Sequence, residues 1–350
     1  MAAPYQPSEK IRGIHWLTEP LLYPQSHGDV WSCAWADDGH VYAASDDTHG
    51  VADSCNSNLA IHRIAGVPPN HVVETVNPMS DYGHPGWREG QDTWKANGMT
   101  SVDGVLFLSV SQHSGAGDYP DRIQRVYDAT IVKSEDHGET WSAKPATGHA
   151  MFPGPRFATP FFVQFGQDYA GTLDEHVYAV SSSASWNNGN YMVLGRVRRN
   201  VIGRLDPADW EFFAGADAAN NPSWAKQLVG KPRAIFAHRD FTSMTGIQYV
   251  PAANRFVLGQ WAYTDLDGPQ PWRRTMLALY EAPRPWGPWQ HFHTEPDWGF
   301  AYYNPSLPAK WFEDGGRRMW MTMAGNFTNE PGTPFSYGLI VRKLELDLAT

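Results

Sequence analysis

Cysteine is scarce in this sequence, which contains only Cys33 and Cys55 among its 350 residues. Two distant cysteines exclude a disulfide framework, and the absence of a CxxC spacing excludes a cysteine-based zinc site. Cys33 lies in an apolar run and Cys55 in a polar stretch. We therefore expect two separate thiols rather than a disulfide.

Basic residues and long apolar runs are also few. Lys and Arg number 27 against 37 Asp and Glu, which gives a net charge of −10. Because non-specific nucleic-acid binding needs a basic surface, we expect no nucleic-acid partner. No apolar run approaches the roughly 18 residues of a membrane span, so no membrane partner is expected. Residues 1–10 have no signal-peptide pattern, which predicts a cytoplasmic protein, or a secreted or periplasmic one if a signal peptide has been removed. The oligomeric state stays open.

Helical and metal-binding patterns are missing as well. The 32 Gly and 27 Pro interrupt nearly every window that is long enough for an amphipathic helix. The 14 His include no HExxH or similar spacing. We predict no cofactor and no metal site, although Asp and Asn side chains at a channel could hold a structural Ca²⁺.

Aromatic residues are abundant, with 16 Trp, 15 Tyr and 16 Phe. On a chain rich in Gly and Pro, this composition is typical of many short strands joined by turns. Short β-type runs occur in five pairs, which predict hairpins near residues 30–45, 99–110, 161–182, 246–261 and 310–323. Turn signals such as Asp103-Gly104 separate the runs, and Asp-Gly favours the tight turns of hairpins.

The five turns recur about every 70 residues, which is enough for a four-stranded blade and its loops. The sequence therefore predicts an all-β fold, a five-bladed β-propeller that forms a single domain over residues 1–350. The strand-like ends, residues 11–17 and 337–346, would pair and close the ring. Residues 134–141 (SEDHGETW) also match the Asp-box pattern S-x-D-x-G-x-T-W, a structural hairpin turn of sialidase-like and other propellers.

In a propeller blade, the start of the first strand and the end of the second strand converge on one face, around the central channel. This rule selects a ring of polar and aromatic residues, a mixture that suits a carbohydrate substrate because aromatic faces stack on sugars while charged groups bond hydroxyls. The candidates for substrate binding are Trp31, Lys95, Asn97, Gln112, Arg156, Arg239, Asp240, Tyr302, Tyr303 and Asn304.

The candidate catalytic residues are Asp29, Asp46, Asp47 and His113. Asp29 and Asp47 come from opposite ends of one hairpin, so they should lie on the same face. Two such carboxylates can act as a general acid and as a base or nucleophile, which predicts a glycoside hydrolase.

Two other functions remain open. In a polysaccharide lyase, His113 would act as the general base or acid, with Tyr303 as its partner. Arg156 or Arg239 would neutralise a carboxylate of the substrate. A non-catalytic propeller would bind a sugar with the same ring of polar and aromatic residues and would not cleave it.

Several motifs carry a resemblance to a known family. Residues 28–31 (GDVW) and 35–42 (WADDGHVY), ending at Asp46 and Asp47, resemble the opening of a bacterial domain-of-unknown-function family that includes endo-D-arabinanases. Further similar runs are 94–95 (WK), 102–106 (VDGVL), 165–171 (FGQDYAG), 280–283 (YEAP), 286–289 (WGPW) and 308–311 (PAKW).

The resemblance implies a five-bladed propeller glycoside hydrolase, with two catalytic aspartates that correspond to Asp29 and Asp47. Asp46-Asp47 replaces the more usual Gly-Asp ending, so the choice between these two residues stays open. Gln112 and His113 also depart from the family pattern, and the substrate of the arabinanases is not carried over.

Overall fold

The polypeptide forms antiparallel β-sheets joined by turns and short 3-10 helices. The structure is a computed structural model, and it describes residues 4–83, 93–113, 121–146, 148–228, 233–268, 272–325 and 335–349. These residues contain strands and 3-10 helices but no α-helix, which confirms the all-β fold class. None of their helices is long and apolar enough to cross a membrane.

The described residues contain 22 strands, numbered here in chain order. Their bounds are β1 Ile11–Trp16, β2 Leu21–Leu22, β3 Ser26–Trp35, β4 Val41–Val51, β5 Ser57–Ala65, β6 Val72–Asn77, β7 Thr93–Val102, β8 Val105–His113, β9 Val126–Ser134, β10 Phe161–Gln164, β11 His176–Ser181, β12 Gly189–Arg198, β13 Glu211–Ala216, β14 Pro222–Ala225, β15 Phe236–Thr242, β16 Ile247–Val250, β17 Arg255–Tyr263, β18 Arg274–Ala282, β19 Gln290–Phe300, β20 Tyr303–Ser306, β21 Arg318–Ala324 and β22 Ile340–Leu348.

The strands assemble into antiparallel groups that follow chain order. One group is β3-β4-β5-β6, and the next is β7-β8-β9. Two further groups, β10 to β14 and β16 to β19, are joined through a short parallel pairing between β10 and β16. The last group combines the two ends of the chain, because β1 pairs with β22, which continues to β21 and β20.

The groups also contact one another through their first or second strands. Contacts run from β3 to β7, from β7 to β10, from β10 to β16, from β17 to β20, and from β20 back to β3. A small cavity of about 30 Å³ is lined by residues of all five first strands, namely Ser32, Met99, Phe162, Ile247 and Asn304. Every residue of β7 is buried, as expected for a strand that is covered on both faces.

Close packing between first strands depends on a glycine. Gly98 donates its backbone N–H to the Pro160 carbonyl, 2.9 Å away. A Cβ atom at Gly98 would lie 2.4 Å from the Phe161 Cα atom, which is closer than two carbon atoms can approach. The absence of a side chain at Gly98 therefore allows β7 and β10 to meet.

Aspartates at the hairpin turns explain why several hairpins form where the sequence predicts them. Asp38 accepts hydrogen bonds from the His40 N–H (2.9 Å) and the Tyr42 hydroxyl (2.8 Å). Asp174 accepts the same two bonds from His176 (2.9 Å) and Tyr178 (2.6 Å). The Asp-x-His-x-Tyr pattern thus fixes the turn through one carboxylate in two different groups.

The hairpin predicted near residues 310–323 is wrong in its first half. Residues Ala309–Trp311 form a 3-10 helix after Pro308, and the strand that pairs with β21 is β20, which precedes them. Because Pro305 lies inside β20, the sequence does not have the appearance of a strand there. The other four predicted hairpins coincide with pairs of strands, β3–β4, β7–β8, β10–β11 and β16–β17.

Candidate functional site

Asp29 and Asp46 face each other across the hairpin of β3 and β4. They are directly opposed Cα partners in the antiparallel register, and side chains at such positions have Cβ atoms about 4.5–5.5 Å apart. Like charges at opposed positions destabilise a sheet. The structure therefore holds two carboxyl groups together at a cost in stability, which is typical of a functional site.

Irregular backbone surrounds this pair. The register of β3 and β4 shifts on both sides of Asp29, and Val30, Trp31 and Asp47 have φ values of 68°, 49° and 42°. A β-branched residue such as Val30 rarely adopts this left-handed conformation. Bulges of this kind re-aim side chains next to active sites. Asp47 follows Asp46 directly, and its left-handed φ breaks the alternation of a regular strand.

A side chain from the opposite end of the sequence supports the irregular segment. Asn304 donates from Nδ2 to the Val30 carbonyl at 2.6 Å. Asn304 is itself buried and left-handed, with φ of 53°. This bond connects β20 to β3 directly beside Asp29.

The two opposed aspartates have different environments. Asp29 is only partly exposed and accepts a hydrogen bond from the Tyr303 hydroxyl, 2.9 Å from Oδ2. Burial and the nearby charge of Asp47 raise the pKa of Asp29 to about 7. Asp46 is buried, and its Oδ1 accepts the Ala96 N–H at 2.7 Å. Burial is also the main reason that the pKa of Asp46 is raised well above its ordinary value.

Lys95 supplies positive charge to this cluster. Its ammonium group forms an ion pair with Asp47 Oδ1, while the Asp47 side chain remains 39% exposed. Lys95 itself is buried. Burial alone would lower the pKa of Lys95, but the charges of Asp47, Asp46 and Asp29 outweigh it and raise that pKa. The ammonium group therefore stays protonated beside its partner Asp47.

His113 lies at the end of β8, where Thr93 is its partner in the register. Burial, together with the positive charge of Lys95, lowers the pKa of His113 to about 4, although Asp47 acts in the opposite direction. Its ring packs edge-on against Trp186, with the centroids 5.5 Å apart. His113 is therefore a neutral imidazole beside the Lys95–Asp47 pair at neutral pH.

Three tyrosines surround Asp29. Tyr303 bonds it directly, and burial together with the Asp29 charge raises the pKa of Tyr263, Tyr303 and Tyr337 well above the ordinary value. These phenols remain protonated hydrogen-bond donors over the whole physiological range. Tyr337 faces all three aspartates, since the charges of Asp47 and Asp46 also raise its pKa.

The structure brings five of the sequence-predicted residues together: Asp29, Asp46, Asp47, Lys95 and Tyr303. His113 adjoins this group, and Gln112 precedes it in β8 as the register partner of Trp94. Asn304 belongs to the wall behind the site, where it holds the backbone of β3. Asp240 lies in β15, where the Asn188 side chain bonds its carbonyl and that of Tyr263.

Three other residues predicted to bind the substrate are either fully buried or have charged neighbours other than the aspartates. Trp31 is fully buried, with its indole N–H bonded to the Gly28 carbonyl (2.8 Å), so a sugar ring cannot stack on it. Asn97 is also fully buried, and it donates to Ser111 Oγ at 2.5 Å. Tyr302 packs edge-on against Trp298, 5.9 Å away, and its charged neighbours are Arg342 and Glu19 rather than the aspartates.

Neither predicted arginine points into the aspartate cluster. The Arg239 side chain is 89% exposed and pairs with its neighbour Asp240. Arg156 is exposed and donates to the Leu228 carbonyl. The guanidinium clamp that a lyase would need is not assembled by these contacts.

Sequence reasoning missed Tyr263 and Tyr337. Tyr263 is the last residue of β17, and the same rule that selects strand ends would have identified it if the strand had been extended beyond residue 261. Tyr337 lies before β22. A segment that lies outside any regular strand gives no periodic signal for the direction of its side chains.

The described residues contain one other group with potential metal ligands, formed by Asp37, Asp38 and His137. Asp37 and Asp38 are exposed, and the group lies at the turn after β3, at the end of the strands opposite to Asp29. At the aspartate cluster, the Lys95 ammonium provides the positive charge.

No protein-family model matches the sequence, and no curated protein sequence matches it either. Solved structures do match the fold. A Bacteroides ovatus protein named as a candidate hydrolase is 13% identical, with coverage of 93% of this chain and 87% of that chain and a TM-score of 0.55.

Two enzyme structures are similar over nearly their full length. The α-L-arabinofuranosidase of Podospora anserina, solved with cellotriose, is 12% identical, with coverage of 97% of this chain and 98% of that chain and a TM-score of 0.51. A GH62 hydrolase solved with xylotriose is 10% identical over the same shares, with a TM-score of 0.50. At such identities the likeness shows a shared fold.

Proposed function

We propose that this chain is a five-bladed β-propeller glycoside hydrolase that uses Asp29 and Asp47 to cleave an oligo- or polysaccharide. The observation that carries the proposal is the cluster of three aspartates around one buried lysine, at the end of the first strands where the backbone is irregular. The five antiparallel groups would be the blades, arranged around the small central cavity in one domain. The shared fold with an arabinofuranosidase and a GH62 hydrolase supports the reaction class.

The environments of the carboxyl groups support a division of roles. Asp29, whose pKa is raised to about 7, holds a proton near neutral pH and would act as the general acid. Asp47 is partly exposed and forms an ion pair with Lys95, so it would act as the base or the nucleophile. Asp46 is buried and bonded to backbone, which favours an electrostatic role behind the other two.

The reaction follows from these roles. Asp29 would donate its proton to the glycosidic oxygen as the bond from that oxygen to the anomeric carbon breaks. Asp47 would either remove a proton from a water molecule that attacks the anomeric carbon, or attack that carbon itself and form a glycosyl ester. In the second route, water that gives a proton to Asp29 would then break the ester and release Asp47, so in both routes the anomeric carbon receives the hydroxyl group of water. Tyr303, whose hydroxyl donates to Asp29 Oδ2, would orient this carboxyl group.

The geometry favours the hydrolase over the lyase. A lyase needs a base beside a uronate whose carboxylate is neutralised. His113 is neutral and could accept a proton, but Arg156 and Arg239 form their contacts elsewhere. Tyr303 is engaged with Asp29.

The experiment compares Asp47→Asn with His113→Ala on neutral polysaccharides such as arabinan and xylan, with new reducing ends as the readout. We expect Asp47→Asn to lose at least 100-fold in kcat, on the order of the effect of removing one catalytic group, while His113→Ala keeps most of its activity. The reverse pattern, with unsaturated products on a uronate polymer, would establish the lyase. Binding without any cleavage would instead support the non-catalytic alternative.

A further inference from the structure

A second concave surface adjoins the aspartate cluster. A cavity of about 470 Å³ lies beside β15, β17 and β18, with Asp240, Phe241, Tyr263, Leu266, Asp267 and Met276 among its lining residues. Its volume is within the range of about 300–1,000 Å³ of small-molecule sites. Tyr263 belongs to both places, because it lines the cavity and the Asp29 charge acts on its hydroxyl.

The wall of this cavity is rigidly built. The Asn188 side chain donates to the carbonyls of Asp240 (3.1 Å) and Tyr263 (2.9 Å), and its Oδ1 accepts the Tyr263 N–H (3.1 Å). Asn190 accepts the Asp240 N–H at 3.1 Å. Asn188 and Asp240 are both left-handed, with φ of 49° and 57°. Backbone held in such a conformation by several bonds is typical of ligand sites.

The chemistry of the lining points to a neutral sugar. Phe241, Leu266 and Met276 provide an apolar floor, whereas Asp240 and Asp267 provide exposed carboxylates at the rim. Carboxylates accept hydrogen bonds from sugar hydroxyls, and apolar side chains pack against the C–H face of the ring. Lys and Arg do not occur among the described lining residues. Arg239 pairs with Asp240 from outside the lining (3.4 Å), but the lining residues themselves carry three aspartates, Asp121, Asp240 and Asp267. Their negative charge would repel a uronate or sulfated sugar.

We propose that this cavity is a specificity-determining subsite that binds an uncharged, hydroxyl-rich sugar residue of the substrate next to the bond that is cleaved. The inference rests on the proposed function and extends it, because it assigns the substrate to the neutral saccharides and excludes polyuronates. Asp240 and Asp267 would form the polar rim that selects the sugar.

The test measures binding by calorimetry in the Asp47→Asn background, where the substrate is preserved. The probes are xylotriose, arabinotriose and cellotriose as neutral trisaccharides, and trigalacturonate as the charged one. We expect at least one neutral trisaccharide to bind, and trigalacturonate to bind at least 10-fold more weakly, a difference of about 1.4 kcal/mol. Adding Asp240→Asn or Asp267→Asn should weaken binding of the neutral sugar about fivefold.

Asp103→Asn is the matched control. Asp103 is also left-handed, exposed and paired with an arginine, Arg199, but it lies in the turn after β7 at the opposite end of the strands. Asn tolerates the left-handed conformation, so neither substitution should distort the backbone. The control should leave binding within about twofold of the parent.

The outcomes separate the subsite from the catalytic proposal. Equal binding in the Asp240→Asn and Asp267→Asn variants, equal binding of trigalacturonate, or binding of no neutral trisaccharide would overturn the subsite. If the expected binding pattern holds but the unmodified protein cleaves none of the trisaccharides or their polymers, the subsite stands and the hydrolase proposal fails.

Discussion

Asp29, Asp46, Asp47 and Lys95 form a cluster in which carboxyl groups outnumber the ammonium group. Burial raises the pKa of Asp29 and of Asp46, and the nearby negative charge of Asp47 raises both values further. Such coupled groups share protons, so the cluster titrates as a unit. A group that retains a proton near neutral pH is what a general acid requires.

The pH dependence of activity follows from Asp29. Its pKa in the folded protein is raised to about 7, so the acid form is present below this value and is lost above it. We predict that kcat/KM for a neutral oligosaccharide falls as pH rises through about 7, with an apparent slope of one proton. A profile that stays flat from pH 6 to pH 9 would contradict the assignment of Asp29 as the acid.

The raised pKa of Asp29 should also make the stability of the protein depend on pH, and the Asp29 carboxyl group should destabilise the fold at high pH. Because the pKa of Asp29 is raised from 3.8 to about 7 on folding, the folded state holds the proton more strongly, and stability is lost as pH rises from about 4 to 7. Asp29→Asn removes this loss. We predict that the variant is inactive but melts about 2–5 °C higher than the parent at pH 8, with the difference shrinking at pH 4. Thermal denaturation that shows an equal or lower Tm at pH 8 would refute this.

Substitution of Lys95 tests how much its positive charge stabilises the cluster. Removing one partner of a fully buried ion pair typically costs about 3–5 kcal/mol, and the 39% exposure of Asp47 makes the cost of Lys95→Met smaller than that. The variant should still be destabilised at pH 8, because the buried Asp46 loses the nearby Lys95 charge. The loss should be smaller at pH 5, where the aspartates accept protons more readily, and Lys95→Arg should retain most of the stability. Denaturant unfolding that shows the same loss at both pH values would indicate lost packing rather than lost charge.

The candidate residues show how far a sequence determines a site. Asp29, Asp46 and Asp47 could be predicted, because a hairpin brings its two ends together regardless of details. The burial of Trp31 could not, since it depends on a left-handed φ of 49° that turns the side chain into the sheet. The choice between Asp46 and Asp47 likewise depends on a bulge that no periodicity indicates.

Strands β3 and β20 cooperate to hold the irregular segment at the site. Asn304, on β20, donates to the Val30 carbonyl on β3 at 2.6 Å. The left-handed conformations of Val30 and Asn304 coincide with this contact. The position of Asp29 therefore depends on a bond between elements that are far apart in sequence.

Asn304→Gly tests this dependence, since glycine keeps the left-handed backbone but loses the bond. We predict a stability loss of about 1 kcal/mol and a fall in kcat of about 10-fold or more, with KM little changed. Asn254→Gly is the control: Asn254 is left-handed (φ 51°) and accepts the Tyr249 hydroxyl at 2.9 Å, but it lies in the turn after β16, at the opposite end of the strands. A similar fall in kcat in both variants would show that the fall does not depend on the hydrogen bond between Asn304 and Val30.

The sequence predicts correctly those turns and strands that are determined by residues close together in the chain. The turns after β3 and β7 carry Asp-Gly, which needs no tertiary support. Strand β20 contains Pro305 and pairs with β21 across a 3-10 helix, so its pairing is determined by the strands packed beside it rather than by its own pattern.

The two ends of the chain pair with each other in one sheet. Strand β1 pairs with β22 along most of its length, from Ile11 opposite Leu348 to Trp16 opposite Leu344. Ile11 and Ile14 are buried in the core. Without β1, the sheet of β20, β21 and β22 would expose an edge and an apolar face.

We predict that deletion of residues 1–17 lowers Tm by at least about 10 °C or prevents soluble expression, because a strand and its buried isoleucines are lost together. Arg12→Ala should change stability by less than about 0.5 kcal/mol, since its ion pair with Asp347 is exposed. A truncated protein that melts like the full chain would show that end pairing is dispensable.

The proposed reaction is the addition of water across a glycosidic bond by Asp29 and Asp47. Its most direct test is digestion of a neutral oligosaccharide in water labelled with the heavy oxygen isotope, followed by mass spectrometry of the products. We predict one labelled oxygen per bond cleaved, located at the new reducing end, and no product from Asp47→Asn. Unlabelled products with a carbon–carbon double bond, or intact saccharide after long incubation with the unmodified protein, would contradict it.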